Sequence, residues 1–213
     1  MTSAAEPRNN ALVQSPALTT RELADWLLLE DAMFQRVPQT ARSTLLDAAL
    51  EEGYACAEAV RRNWGTDPWT IARELNIGVA ESHADAGFGS VVVLADYSQP
   101  PPRITLYSNA IAQLQRHFAG SPLDAPDYKA VFLAHELYHH LARLAPERSL
   151  TRGYRVTLLR LGRWCWTSGI AGLEEIAAGA FAQSLLSLSF HLRLLETLWA
   201  RREPVAQDEG ALR

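Results

Sequence analysis

Cysteine is scarce in this chain of 213 residues: Cys56 and Cys165 are the only two, far apart and in no CxxC pair. That excludes a disulfide framework, and both read as buried free thiols in a reducing compartment. No uncharged apolar run approaches the roughly 18–20 residues that cross a bilayer. The opening MTSAAEPRNNALVQSPALTT has no basic start followed by an apolar stretch, so it does not read as a secretory leader. Positive charge is not in excess either: 20 Lys+Arg stand against 24 Asp+Glu, a net charge of −4. Such a chain has no bulk attraction for nucleic acid or an anionic membrane. A soluble cytoplasmic protein with neither as a direct partner is expected. Internal repeats are absent, and the only low-complexity block is Pro100 to Pro102. What is present is ordinary: 48% apolar and 21% charged residues exclude collagen-like, coiled-coil and wholly disordered chains. The length suffices for a proper core in one domain with an elaborated end.

Residues 1–19 are polar, punctuated by Pro7 and Pro16, and read as a mobile tail. A helical pattern opens at Thr20, which reads as the cap, before LADWLLLEDAMF. A second runs from about Ala41 to Asn63, and Trp64-Gly65 ends it. Residues 20–63 thus form a helical extension. Asp67-Pro68 caps a short helix, Trp69 to Leu75. The period then changes. Ile77 to Ala80, Ser90 to Ala95 and Arg103 to Tyr107 read as strands, with Asp96 to Pro102 a loop that cannot join a sheet interior. Helical signals return at Ser108 to Phe118, Tyr128 to Leu144, Ile170 to Leu188 and about His191 to Arg202. Helices, then a few strands, then helices indicate an α+β fold. Residues 64–203 form its main domain, and 204–213 a second mobile tail.

Within KAVFLAHELYHHLARL stands His135-Glu136-Leu137-Tyr138-His139, a HExxH. On a helix, positions 135 and 139 share a face one turn apart, so their imidazoles can converge on one metal ion. Imidazole nitrogen is a preferred Zn²⁺ ligand. Glu136 projects beside that face, placed to act as general base on a water activated by the metal.

A hydrolytic zinc site needs a third protein ligand and one open position. Gly172 to Ala182 reads as a helix carrying Glu174 and Glu175. From Glu175, one face continues through Ala178, Gly179 and Ala182, small residues that let two helices approach closely. Glu175 is the expected third ligand, with Glu174 as its substitute. A glutamate pair at a helix start is also simply favourable at the N-terminal dipole.

The order of these segments resembles the ImmA/IrrE-like zinc metallopeptidases. The likeness runs from about Trp64 to Leu186. It is carried by Ile71-Ala72-Arg73-Glu74-Leu75-Asn76-Ile77, then Ile104-Thr105-Leu106, then the HExxH, then EIAAGAFAQSLL from Glu175. The resemblance implies a zincin-like core: a small, about three-stranded sheet, an active-site HExxH helix and a following ligand helix, with N-terminal helices added. It implies His135, His139 and Glu175 as zinc ligands and Glu136 as the catalytic carboxylate. It further implies a cytoplasmic endopeptidase that cuts or inactivates a protein such as a helix-turn-helix repressor, in stress response or mobile-element control. Three departures stand out. Gly179 occupies a position where members often have Asn or Asp, a possible partner for a metal-binding histidine. Tyr138 replaces a small residue. LLSLSF follows where a Leu-Leu-Met-Pro-like ending is common. The first two motivate an alternative: a metal-bearing regulatory module that binds and inactivates a partner without proteolysis.

Peptide hydrolysis also needs a group that stabilises the oxyanion. His140 and Tyr154 are the candidates, with Tyr138 available beside them. The RITLY strand is the expected edge for strand addition by a peptide substrate. His83, His117 and His191 carry no assigned role. Arg152, Arg155, Arg160 and Arg163 read as a solvated face, and Trp164 and Trp166 as core anchors. Trp69 to Ala80 could open a helix-turn-helix, but the following Gly-broken stretch supplies no recognition helix.

Overall fold

The computed structural model describes residues 19–200, apart from 85, 89–90, 126 and 146–152. The expected tails, beyond Thr19 at one end and from residue 204 at the other, lie outside the described residues, as does Arg152.

Helix α1 (Thr20–Glu30) opens on a capping box in which Thr19 Oγ1 accepts from the Glu22 N–H and Glu22 accepts from the Thr19 N–H. The cap is therefore Thr19, one residue before the expected Thr20. A 3₁₀ turn (Phe34–Arg36) leads into α2 (Gln39–Trp64). Asp67 caps α3 (Pro68–Glu74), where proline at the first position loses no helical hydrogen bond. A strand, β1 (Gly78–Ser82), follows α3 directly, so no second helix of a helix-turn-helix exists there.

The sheet differs from expectation in one strand. β2 (Gly87–Phe88) and β3 (Val91–Val92) form only a short hairpin, and the third strand of the main sheet is β4 (Ala95–Ser98). Asp96 to Ser98 thus leave the expected loop and pair antiparallel with β5 (Arg103–Tyr107). The prolines that follow exclude a sheet interior but not an edge strand. The order is β1-β5-β4, with β1 and β5 parallel. The RITLY strand is therefore the centre of the sheet. It is covered on both sides, and cannot be the edge that receives a peptide.

Next come α4 (Ser108–Phe118) and α5 (Tyr128–Leu144), the latter capped by Asp127. A hairpin absent from the sequence reading, β6 (Arg155–Leu161) with β7 (Trp164–Gly169), then leads to α6 (Ala171–Leu185) and α7 (Leu192–Ala200). Trp164 and Trp166 are 78% and 74% exposed, not core anchors. Cys165 is exposed on the same hairpin, and Cys56 is half-buried. Among the described residues, no helix is long and apolar enough to cross a membrane.

Two apolar clusters meet at α6. One joins sheet, α5 and α6 through Ile104, Leu106, Leu133, Leu137 and Phe181. The other joins α1, α2 and the start of α6 through Leu28, Phe34, Leu46, Leu173 and Ile176. Each such buried side chain contributes about 1.5–3 kcal/mol. At the crossing of α2 with α6, Gly53 lies against the Ala177 carbonyl so closely that any Cβ there would overlap it. The extension 20–63 is thus packed onto the helix that carries Glu174 and Glu175.

Candidate metal centre

His135 and His139 project from one face of α5, and α6 runs past them with its first turn abreast. The two Nε2 atoms lie 3.1 Å apart. Glu175 stands 3.3 Å from His135 Nε2 through one oxygen and 3.5 Å from His139 Nε2 through the other. Donors held at 2.0–2.1 Å by a tetrahedral ion stand about 3.3 Å from one another. One donor atom from each of the three groups lies within 4.8 Å of the others, close enough to hold a metal ion after a small turn of the Glu175 carboxylate.

Glu174, the alternative third ligand, takes a different place. It lies 3.0 Å from His139 Nδ1, on the far side of the ring. A carboxylate there accepts the Nδ1–H, which leaves the Nε2 lone pair facing the centre. Adjacent positions about 100° apart on a helix explain how one glutamate meets the front of the ring and its neighbour the back.

His135 is oriented differently. Its Nδ1 is buried with no hydrogen-bond partner among the described residues. Beside it lies a cavity of about 10 Å³, lined by Gly179, His191, Arg193 and Glu196 among others. That is room for about one water. Gly179 explains the neighbour: a Cβ there would overlap the His191 ring. The space of the missing side chain is filled by His191, the residue that precedes α7. Burial pushes His191 down to about 4, so it is neutral, with Nε2 3.3 Å from the Ile176 carbonyl and Nδ1 accepting from the Arg193 N–H. Tyr138, the second departure, points away from the centre. It is buried, and its hydroxyl donates to Glu52 of α2 at 2.7 Å.

Charge is arranged for a cation. Burial opposes protonation of His135, but Glu175, Glu136 and Glu196 outweigh it and raise the imidazole to about 9. The surroundings likewise oppose ionisation of Glu175, and the facing imidazoles outweigh them, to about 2. Burial pushes the Glu136 carboxyl up, with Glu175 and Asp96 adding to the shift and the two histidines resisting it.

A cleft of about 440 Å³ opens onto the centre, lined by Tyr97, Glu136, His139, Arg143, Glu174 and Glu175 among others. Of the expected stabilisers, His140 is buried behind it, with Nδ1 hydrogen-bonded to the Tyr97 hydroxyl at 2.8 Å. Tyr154 packs against the N-terminal helical cluster and is not among the cleft's lining residues. Tyr97 is the phenol that lines the cleft, with the Arg143 guanidinium over its ring. It was hidden in a segment read as loop.

The N-terminal extension also reaches this region. The residue before helix α6, Ile170, offers no side-chain cap. Asp31 supplies one from the end of α1, accepting from the Gly172 N–H at 2.9 Å. Comparison with protein-family profiles, curated proteins and solved structures finds no match to the chain.

Proposed function

We propose that the chain is a zinc-dependent endopeptidase of the ImmA/IrrE-like kind, acting in the cytoplasm on a protein substrate such as a helix-turn-helix repressor. One observation carries this reading: two imidazoles and a carboxylate converge within metal-binding reach of one another beside an open cleft, with Glu136 in its wall. A zinc ion held by His135, His139 and Glu175 would acidify a water and polarise a peptide carbonyl.

The chain's own residues supply the remainder. Glu136 takes the proton of the attacking water on its carboxylate and returns it to the leaving amine. Its raised pKa suits both steps. Glu174 keeps His139 in the tautomer whose Nε2 faces the centre. The Tyr97 hydroxyl, which meets His140 Nδ1 and donates to Gln99 Oε1, would turn from Gln99 to donate to the oxygen on which negative charge develops. An extended peptide would pair with β4, the sheet's edge strand on the Tyr97 side.

The test uses Glu136→Gln against unfolded casein and against candidate repressors. The variant should keep stoichiometric zinc and lose cleavage. His135→Ala should lose the metal itself. Cleavage by Glu136→Gln at the parent rate would overturn the mechanism. A stoichiometric, uncut repressor complex formed equally by parent and variant would instead establish the non-proteolytic regulatory module.

A further inference from the structure

The hairpin formed by β6 and β7 is built to hide one face, and nothing among the described residues hides it. Directly paired residues share a face, and the pairs are Val156 with Ser168, Leu159 with Trp166, and Leu161 with Trp164. The alternate pairs are Arg155 with Gly169, Thr157 with Thr167, and Arg160 with Cys165. A one-residue shift of register between Thr157 and Leu159 makes this sorting possible. Without it, Arg160 would share a face with Val156, and Leu159 with Thr157. Arg36 donates to the carbonyls of Thr157 and Leu158 at the shift, at 3.4 and 3.2 Å. The bulge therefore places the large apolar side chains on one side and the arginines on the other.

Only the base of this arm is anchored. Val156 is buried against the N-terminal helices, while Leu159, Leu161, Trp164 and Trp166 are 48%, 67%, 78% and 74% exposed. An isolated two-stranded hairpin is marginally stable in water. One that also exposes two tryptophans needs a cover.

We propose that the cover is the same face of a second copy of this chain, so that the protein is a dimer joined through its β6–β7 arms. Area supports this occupant. The four exposed side chains offer on the order of 600 Å² of apolar surface, against ~800 Å² per partner in a stable interface. Two such faces together bury about 1,200 Å², the low end of the range for specific interfaces, as suits a dimer that dissociates on dilution. Charge supports it as well. The face carries no ionisable group, so two copies meet without repulsion, as a two-fold interface requires. Arg155 and Arg160 lie on the opposite side, where they cannot draw this face onto an anionic membrane. The rest of the chain is a poor cover: residues 1–18, 146–152 and 201–213 contain no aromatic residue.

Sedimentation velocity and light scattering on the full chain test this. The parent should have twice the chain mass of 23.6 kDa, dissociating on dilution. Trp164→Ser combined with Trp166→Ser should have the single-chain mass at every concentration, with its far-ultraviolet circular dichroism unchanged. Leu161→Glu, which sets a charge in the middle of the face, should do the same if the double variant misfolds. A parent that stays at 23.6 kDa throughout overturns the proposal. So does a dimer that survives these substitutions, or a monomeric parent that co-sediments with phosphatidylglycerol vesicles through the tryptophan pair.

Discussion

Among the described residues, His139 and Trp166 are separated in the chain by the single strand β6, yet stand in opposite circumstances. Around His139, both faces of the ring are spoken for: Glu174 holds Nδ1, and Nε2 faces His135 and Glu175. Around Trp166, three quarters of the side chain meets nothing among the described residues. The metal corner is preorganised, so a ligand entering it causes little rearrangement. The arm is organised internally but leaves its outward contact open. Side chains of the first region should therefore be sensitive to small changes, and those of the second tolerant of large ones until a partner is present.

The strongest way to break that contrast is at the paired glutamates. Glu175→Ala should abolish stoichiometric metal. Glu174→Ala should keep the metal but weaken it by about 10–100-fold, as loss of a carboxylate behind a ligating histidine does. Competition with a chromophoric chelator measures both, and equal effects would mean that the two carboxylates are not divided as described. Next is Gly179→Ala, whose new Cβ overlaps the His191 ring. It should destabilise the fold by about 1–3 kcal/mol, read by urea unfolding. Smaller again is Asp31→Ala, which removes the side-chain cap of α6 among the described residues, together with the bonds Asp31 accepts from the Met33 and Phe34 N–H groups, and should cost about 1–2 kcal/mol. At the other end of the scale, Trp164→Ser should change the unfolding of the monomer by no more than about 0.5 kcal/mol.

Acidity sharpens the contrast further. In the metal-free protein, His135 is raised from 6.5 to about 9, so its contribution is complete below 6.5 and lost as pH rises through 9. Glu175 is lowered from 4.5 to about 2, so its contribution is complete above 4.5 and lost as pH falls through 2. The metal-free corner is thus most stable between those limits, at mildly acid pH. Zinc must displace the His135 proton, so its stabilising effect should grow from pH 6 toward pH 9. Thermal unfolding with and without zinc at several pH values checks this. A zinc-dependent shift that shrinks on raising the pH would contradict the assigned protonation.

Much of the metal corner was legible because its signal is local. Residues four apart on a helix meet wherever that helix packs, and the His135 to His139 spacing needs no tertiary information. Glu175 was legible only with Glu174 beside it, since a choice between neighbours depends on the rotation of α6. Tyr97 and His191 were not legible. Tyr97 sits in a strand held by pairing with β5, in a segment whose prolines suggest a loop. His191 comes up beside His135 from the turn before α7, and its only trace in the sequence is a glycine where it fits. The β6–β7 arm was missed for a related reason. RVTLLRL does not alternate, because the bulge resets its period midway, and a strict two-residue template fails on it.

The Asp31 cap has a practical consequence. A gene trimmed to residues 64–203, the stretch containing every metal-binding side chain, would encode a chain whose ligand helix starts untethered and whose long flank is stripped bare. Such a fragment should express poorly and bind metal loosely despite carrying all the chemistry. Residues 20–63 are a splint for the glutamate pair, and attempts to isolate a minimal metal-binding unit should keep them.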